Sequence, residues 1–195
     1  VAVRNMHVVY VLDSETGEQK WHFVADGPVA SPPTCHGRLV LFGSRDGWVY
    51  CLDAQSGELV WRFSDLPTVR LMCDSGQLES AWPVNGSVMV QDGLVYFAAG
   101  RSSFLDGGIV VYALEPETGK VIYRRVMAGP YDENNFPRPQ PQNTHRCEGF
   151  KSGIFSSEDG NLYIRHQGFK PDLSPIRPYD IKGSHLIASA GFLRA

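Results

Sequence analysis

Tyr10-Val11-Leu12-Asp13-Ser14-Glu15-Thr16-Gly17, followed by Trp21, returns as Tyr50-Cys51-Leu52-Asp53-Ala54-Gln55-Ser56-Gly57, followed by Trp61. A looser third copy reads Tyr112-Ala113-Leu114-Glu115-Pro116-Glu117-Thr118-Gly119, with Tyr123 in the Trp position. A repeat of this size means stacked supersecondary units, each unable to bury its own face alone. The repeated residues therefore read as structural before they read as functional.

Each copy is two strands joined by a tight turn. Val8, Tyr10 and Leu12 alternate with Val9 and Val11, the pattern of a strand packed on both faces. In the turn, side-chain oxygens of Asp13 or Asp53 accept from nearby backbone N–H groups, while Gly17, Gly57 and Gly119 take the positive φ that closes the loop. Trp21 and Trp61, with Tyr123, begin the returning strand and are expected to fill the gap between neighbouring sheets. A second signal lies upstream: His36-Gly37, Asp92-Gly93 and Asp159-Gly160 each open an apolar strand. Short apolar segments precede these turns, at Pro28 to Thr34, Val84 to Val90 and Gly153 to Ser156. The unit is then four strands, A to D, and four-stranded antiparallel units repeated radially are propeller blades.

An all-β propeller built of four-stranded antiparallel blades is the expected fold. A single domain over 1–195 is expected to hold the end of a blade (1–26), a complete blade (27–64), a blade with insertions (80–126) and an incomplete blade (149–195). The chain begins with Val and enters the repeat midway, so a piece of a longer protein, with the remaining blades as its first partner, is the expectation. Gly 20 and Pro 13 suit many turns and argue against long helices. A net charge of -3 points to no nucleic-acid or anionic-membrane partner. No apolar run approaches the length of a membrane span.

The pattern Tyr-x-Leu-Asp-x-x-Thr/Ser-Gly-x-x-x-Trp resembles the pyrroloquinoline-quinone (PQQ) repeat. That repeat occurs in quinoprotein alcohol dehydrogenases and in the propeller lipoprotein of the outer-membrane barrel-assembly machinery. Other stretches, among them Gly76 to Val84, Gly100-Arg101-Ser102-Ser103, Leu162 to His166 and Ala190-Gly191-Phe192-Leu193, are similar to large PQQ-like propellers of planctomycete-type bacteria. The resemblance implies a bacterial, periplasmic or otherwise extracytoplasmic protein.

In an A-B-C-D meander, the A–B and C–D turns lie on one side of the disc, and the B–C loops and D–A links on the other. The long segments are Ser64–Ser80 (D–A), Arg101–Asp106 (B–C), Met127–Gly149 (D–A) and Lys170–Gly183 (B–C), which places all of them on one side. Loops on a rigid scaffold are where binding residues gather; the plainer alternative is a lid of loops packed on each other. The candidate ligand-binding residues there are Arg70, Glu79, Arg101, Asp106, His145, Arg165 and His166, with Arg138, Arg146 and Glu148 beside them. Arginines around a common cavity suit an anionic or carbohydrate ligand; bracing of the loops is the plainer role for each. Trp82 reads as packing or as a sugar-lining surface.

Cys35, Cys51, Cys73 and Cys147 contain no C-x-x-C and no adjacent pair. Cys73 and Cys147 both lie in long loops and could form a disulfide if the chain is exported, and Cys51 reads as a small buried filler. No metal site is expected, since Cys35-His36 and His145-x-Cys147 lack a second ligand pair. The favoured reading is a non-catalytic platform for a protein or carbohydrate partner, with no cofactor and no catalytic residues. The alternative is a quinoprotein dehydrogenase using PQQ and Ca²⁺, whose family members also use adjacent cysteines, a stacking Trp and a calcium set. A hydrolase or lyase reading lacks a nucleophile motif, since G-x-S-x-G is absent.

Overall fold

The computed structural model describes residues 1–129, 150–165 and 167–176. They form antiparallel meanders. The first sheet runs β1 (Ala2–Val3), β2 (Val8–Leu12) and β3 (Gln19–Val24). The second runs β4 (Thr34–His36), β5 (Leu39–Gly43), β6 (Val49–Asp53) and β7 (Leu59–Phe63). A two-stranded hairpin, β8 (Leu71–Asp74) and β9 (Gln77–Ser80), precedes the third sheet. That sheet holds β10 (Met89–Gln91), β11 (Leu94–Ala99), β12 (Ile109–Leu114) and β13 (Val121–Met127). The fourth holds β14 (Phe155–Glu158), β15 (Asn161–Ile164), β16 (Gln167–Phe169) and β17 (Pro175–Ile176). This is the stacked-blade architecture of a β-propeller.

The repeated turns explain the hairpins. Asp13 Oδ1 accepts from the backbone N–H of Glu15 and Thr16 at 2.9 and 3.0 Å. Asp53 Oδ1 does the same for Gln55 and Ser56, both at 2.9 Å. In the third copy Glu115 O accepts from Gly119 N at 2.9 Å, and its carboxylate accepts from the Thr118 hydroxyl at 2.5 Å rather than from backbone N–H groups. In all three copies the register slips one residue before the turn, at Val11/Leu12, Cys51/Leu52 and Ala113/Leu114. Such a bulge increases local twist.

The core lies between blades, because side chains of one strand alternate between the two interfaces of its blade. Val40, Phe42, Tyr50 and Leu52 pack towards Val9 and Trp21 of the first blade. Leu41, Val49 and Cys51 face Val95, Phe97, Tyr112 and Leu114 of the third. Tyr96, Ile109 and Val111 face Phe155, Leu162 and Phe169 of the fourth. An aromatic triad recurs at the first two interfaces. Phe23 meets the stacked pair Phe42 and Tyr50, and Phe63 meets the stacked pair Phe97 and Tyr112. The third interface has Arg125, Ile164 and Gln167 at these register positions.

Four expectations need correction. The first sheet is more than strands C and D, since Ala2–Val3 pairs with Val8–Val9. The first strands of the blades start later than the apolar segments suggested, at Thr34, Met89 and Phe155; residues before them bond to loops instead, Pro28 O accepting from Arg45 N and Val84 N donating to Ser44 O. Lys170–Gly183 is not a B–C insertion. The chain turns back after Ile164 into β16, and Lys170–Ser174 closes a tight turn into β17 with Leu173 N donating to Lys170 O. That turn lies on the plain side, and 177–183 lie outside the described residues. Tyr123 is not buried between blades: its ring is 40% exposed, whereas Trp21 is 9% exposed. The turn of the following blade, Lys170–Ser174, has no glycine to receive it.

Candidate functional site

The B–C loops and D–A links bond to one another across blades. Arg45 N donates to Pro28 O, Ser80 N to Arg45 O, Val84 N to Ser44 O and Ser103 N to Phe150 O. Onto this framework the Ser64–Ser80 link folds as the β8–β9 hairpin rather than as a loop. Its tight turn uses Ser75 and Gly76, both at positive φ.

Alternation gives the hairpin two faces. Glu79 is turned inward, 4% exposed, and its carboxylate lies 2.9 Å from Arg45 Nε. Arg45 Nε donates to Asn85 Oδ1 at 2.7 Å and Arg45 Nη1 to Asp74 Oδ2 at 3.1 Å. Burial raises the Glu79 carboxyl above its ordinary range, and the Arg45 charge partly opposes this. On the outer face stand Leu71 (57% exposed), Leu78 (64%) and, just before the hairpin, Val69 (86%), with Cys73 among them. One arginine thus clamps a hairpin whose free face is apolar.

A second ionic node holds the Arg101–Asp106 loop. Asp106, nearly buried, pairs with Arg101 and with Arg70 Nη1, the latter at 2.6 Å. Its backbone oxygen accepts the indole N–H of Trp82 at 2.7 Å. Trp82 therefore packs rather than presenting an open surface. Of the expected binding residues, Arg70, Glu79, Arg101 and Asp106 come together around the hairpin base. Arg165 stands apart in the fourth blade, with φ +55° and Nε donating to Ser152 O at 3.2 Å. His145 and His166, with Arg138, Arg146, Cys147 and Glu148, lie outside the described residues.

Sequence reasoning missed Arg45, Asp65, Tyr112 and Arg124. Tyr112 Oη donates to Asp65 Oδ2 at 2.9 Å, and Arg124 Nε donates to the same oxygen at 3.0 Å. The signal was present, because Arg62 and Arg124 each follow the repeat aromatic directly. Asp65, Tyr112 and Arg124 line a cleft of about 260 Å³ between the second and third blades, walled by Phe63, Phe97, Trp82 and Val110.

The fold and its decorated side define a β-propeller of the PQQ-repeat type. Residues 1–143 match the family model described as outer membrane protein assembly factor BamB, and the chain belongs to that family. It is 30% identical over 135 residues to the alcohol dehydrogenase (quinone), dehydrogenase subunit, of Komagataeibacter europaeus, a match covering 63% of this chain and 18% of that protein. The chain thus spans under a fifth of the length of the curated relatives it matches. The quinohemoprotein alcohol dehydrogenase of Comamonas testosteroni superposes with TM-score 0.64 at 16% identity, over 89% of this chain and 32% of that one. BamB of Moraxella catarrhalis superposes with TM-score 0.54 at 18% identity, over 85% and 40%. Both likenesses show the fold.

PQQ with Ca²⁺ would need carboxylates free to face a cation. Among the described residues, four acids on the decorated side already neighbour an arginine: Asp106 pairs with Arg70 and Arg101, Asp65 Oδ2 with Arg124, and Glu79 and Asp74 with Arg45. These residues do not fit a calcium ion. Among the described residues no group of three or more His, Cys, Asp or Glu could hold a metal ion, and no helix is long and apolar enough to cross a membrane.

Proposed function

We propose that the chain is an extracytoplasmic propeller segment that binds a protein partner through its decorated side and acts with further blades as an assembly platform. The β8–β9 hairpin carries this reading: three aliphatic side chains, Val69, Leu71 and Leu78, stand in solvent on an element clamped from behind by Arg45. Ordering such a hairpin costs conformational entropy that a plain link would not. Exposed apolar groups on a rigid element favour contact with another protein surface. Membership in the BamB family supports an assembly role.

The alternative is a segment of a PQQ-dependent alcohol dehydrogenase, favoured by the 30% identity to such a subunit. A photo-crosslinking residue at Leu78 or at Gln55, on the tight-turn side, separates surfaces. Adducts are expected from position 78 and not from 55; the reverse would sink the choice of side. Stoichiometric PQQ binding with dye-linked alcohol oxidation would replace the platform with the dehydrogenase.

A further inference from the structure

The first two blade interfaces share their aromatic triad, and they differ in side-chain size at the register position of Trp48 and Val110. Trp48, Tyr50 and Leu52 point into the first interface, as Val110, Tyr112 and Leu114 point into the second. The pairings Phe42↔Tyr50 and Phe97↔Tyr112 fix the equivalence, which places Trp48 opposite Val110 in the alignment of the blades. At the first interface the Trp48 indole fills the space beside the aromatic triad, with the Arg62 guanidinium 4.4 Å above its ring. At the second, Val110 is too small to do so, and the cleft of about 260 Å³ remains. Arg124, the register equivalent of Arg62, lines that cleft and stands over Tyr112 at 5.8 Å.

We infer that this cleft is a recognition site for a planar aromatic ring bearing an N–H donor, which enters where the first interface places its own indole. The aromatic wall of Phe63, Phe97 and Tyr112 supplies the ring's contacts, and Arg124 supplies a cation for its π face. Two acceptors await the donor. Ser64 lines the cleft, and its Oγ is buried without a hydrogen-bond partner. Asp65 binds Tyr112 and Arg124 through Oδ2, which leaves Oδ1 to the ligand. A buried polar atom without a partner costs free energy that an incoming donor removes. The volume falls just under the roughly 300 Å³ at which drug-sized pockets begin, so one bicyclic ring is the natural occupant. The ring's source is either a free small aromatic molecule or a tryptophan side chain of a bound segment.

The full chain with labelled valine methyls, titrated with indole, N-acetyltryptophanamide and cyclohexanol, tests this. Saturable ring-current shifts are expected at Val110 and Val126 with the aromatic probes, while Val9 and Val40 at the first interface stay still. N-acetyltryptophanamide binding at least as tightly as indole assigns the ring to a polypeptide; binding more than about tenfold weaker assigns it to a free molecule. Val110→Trp supplies its own indole and is expected to lose indole binding at least tenfold while gaining thermal stability. Should that variant not fold, Val126→Phe narrows the same cleft from the neighbouring strand. Ser64→Ala with Asp65→Asn is expected to erase the preference for indole over benzothiophene, which lacks the N–H. Absent shifts at several millimolar probe, equal shifts with cyclohexanol, or a folded Val110→Trp that binds unchanged would each overturn the assignment.

Discussion

Gly119 lies against the indole of Trp61 so closely that a Cβ built on it would sit 2.8 Å from Trp61 Cδ2. The same indole donates its N–H to Pro116 O at 2.7 Å. One blade earlier, Trp21 covers Gly57 and donates to Ala54 O at 3.0 Å. The repeat glycine thus has two duties, the positive φ of its own turn and a seat for the ring of the preceding blade. Trp61→Ala is expected to destabilise the protein by about 3 kcal/mol through lost burial and an orphaned carbonyl. Gly119→Ala should cost about 1–3 kcal/mol from its backbone conformation alone. Urea unfolding of each variant checks both, and an unchanged midpoint for Gly119→Ala would refute the seat.

Arg45 binds three partners at once, Asp74, Glu79 and Asn85. Arg45→Met leaves Glu79 buried without its cation, a loss of about 3 kcal/mol. The damage should be local. Hydrogen exchange is expected to accelerate across 71–80 while the amides of β5, β6, β11 and β12 keep their protection. Uniform acceleration through the blades would show that the clamp serves the whole fold.

The acidic groups predict opposing pH dependences. Asp53 is held below its ordinary 3.8, first by the backbone N–H groups of Ser56 and Gln55 and then by Arg38. Its stabilisation is therefore complete above the unfolded value and is lost as pH falls through the lower folded value. Asp53→Asn keeps an acceptor oxygen but not the charge, so the stability gap to the parent should be open at pH 6 and close towards pH 2. Glu79 has the reverse sign. Burial raises its folded pKa above 4.5, so its contribution is full below that value and declines as pH rises through the folded one. Glu79→Gln should flatten that decline. Thermal melts from pH 2 to 8 on both variants read the two slopes.

Cys51 is buried in the second interface, and burial pushes its thiol up to about 12. Cys35 and Cys73 are exposed. With a thiol-disulfide reagent at pH 8, Cys35 and Cys73 should react in the native protein and Cys51 only on unfolding, because the thiolate is the nucleophile. Prompt native labelling of Cys51 would mean that the second and third blades separate readily.

Much of the blade architecture was legible because it is local. Asp13 and Asp53 cap turns whose N–H donors lie two and three residues away, and Gly37, Gly93 and Gly160 take positive φ in the A–B turns. The fourth blade was misread from the same local bias. Phe169-Lys170-Pro171-Asp172 carries no Asp-x-x-Thr-Gly signature, yet Ser174 N donates to Asp172 Oδ1 and makes an equally tight turn. The decorated side was legible only as residue types. Arg70, Arg101 and Asp106 were named, but that the arginines share one carboxylate was not visible, since Arg70 and Asp106 are distant in sequence.

What the sequence determined by itself is the repeating unit: strand alternation, the capped turns and the aromatic that starts each fourth strand, all set by neighbours within a few residues. Only the tertiary structure decided which blades are filled and which charges are free. Trp48 and Val110 occupy the same strand position, and their consequence, a packed interface or an open cleft, exists only once two sheets face each other. Arg45 looks like any loop arginine until the 64–80 link folds back and brings Asp74 and Glu79 to it. Such contacts depend on the packing of whole blades, whose geometry is a sum over many residues rather than a property of any short stretch.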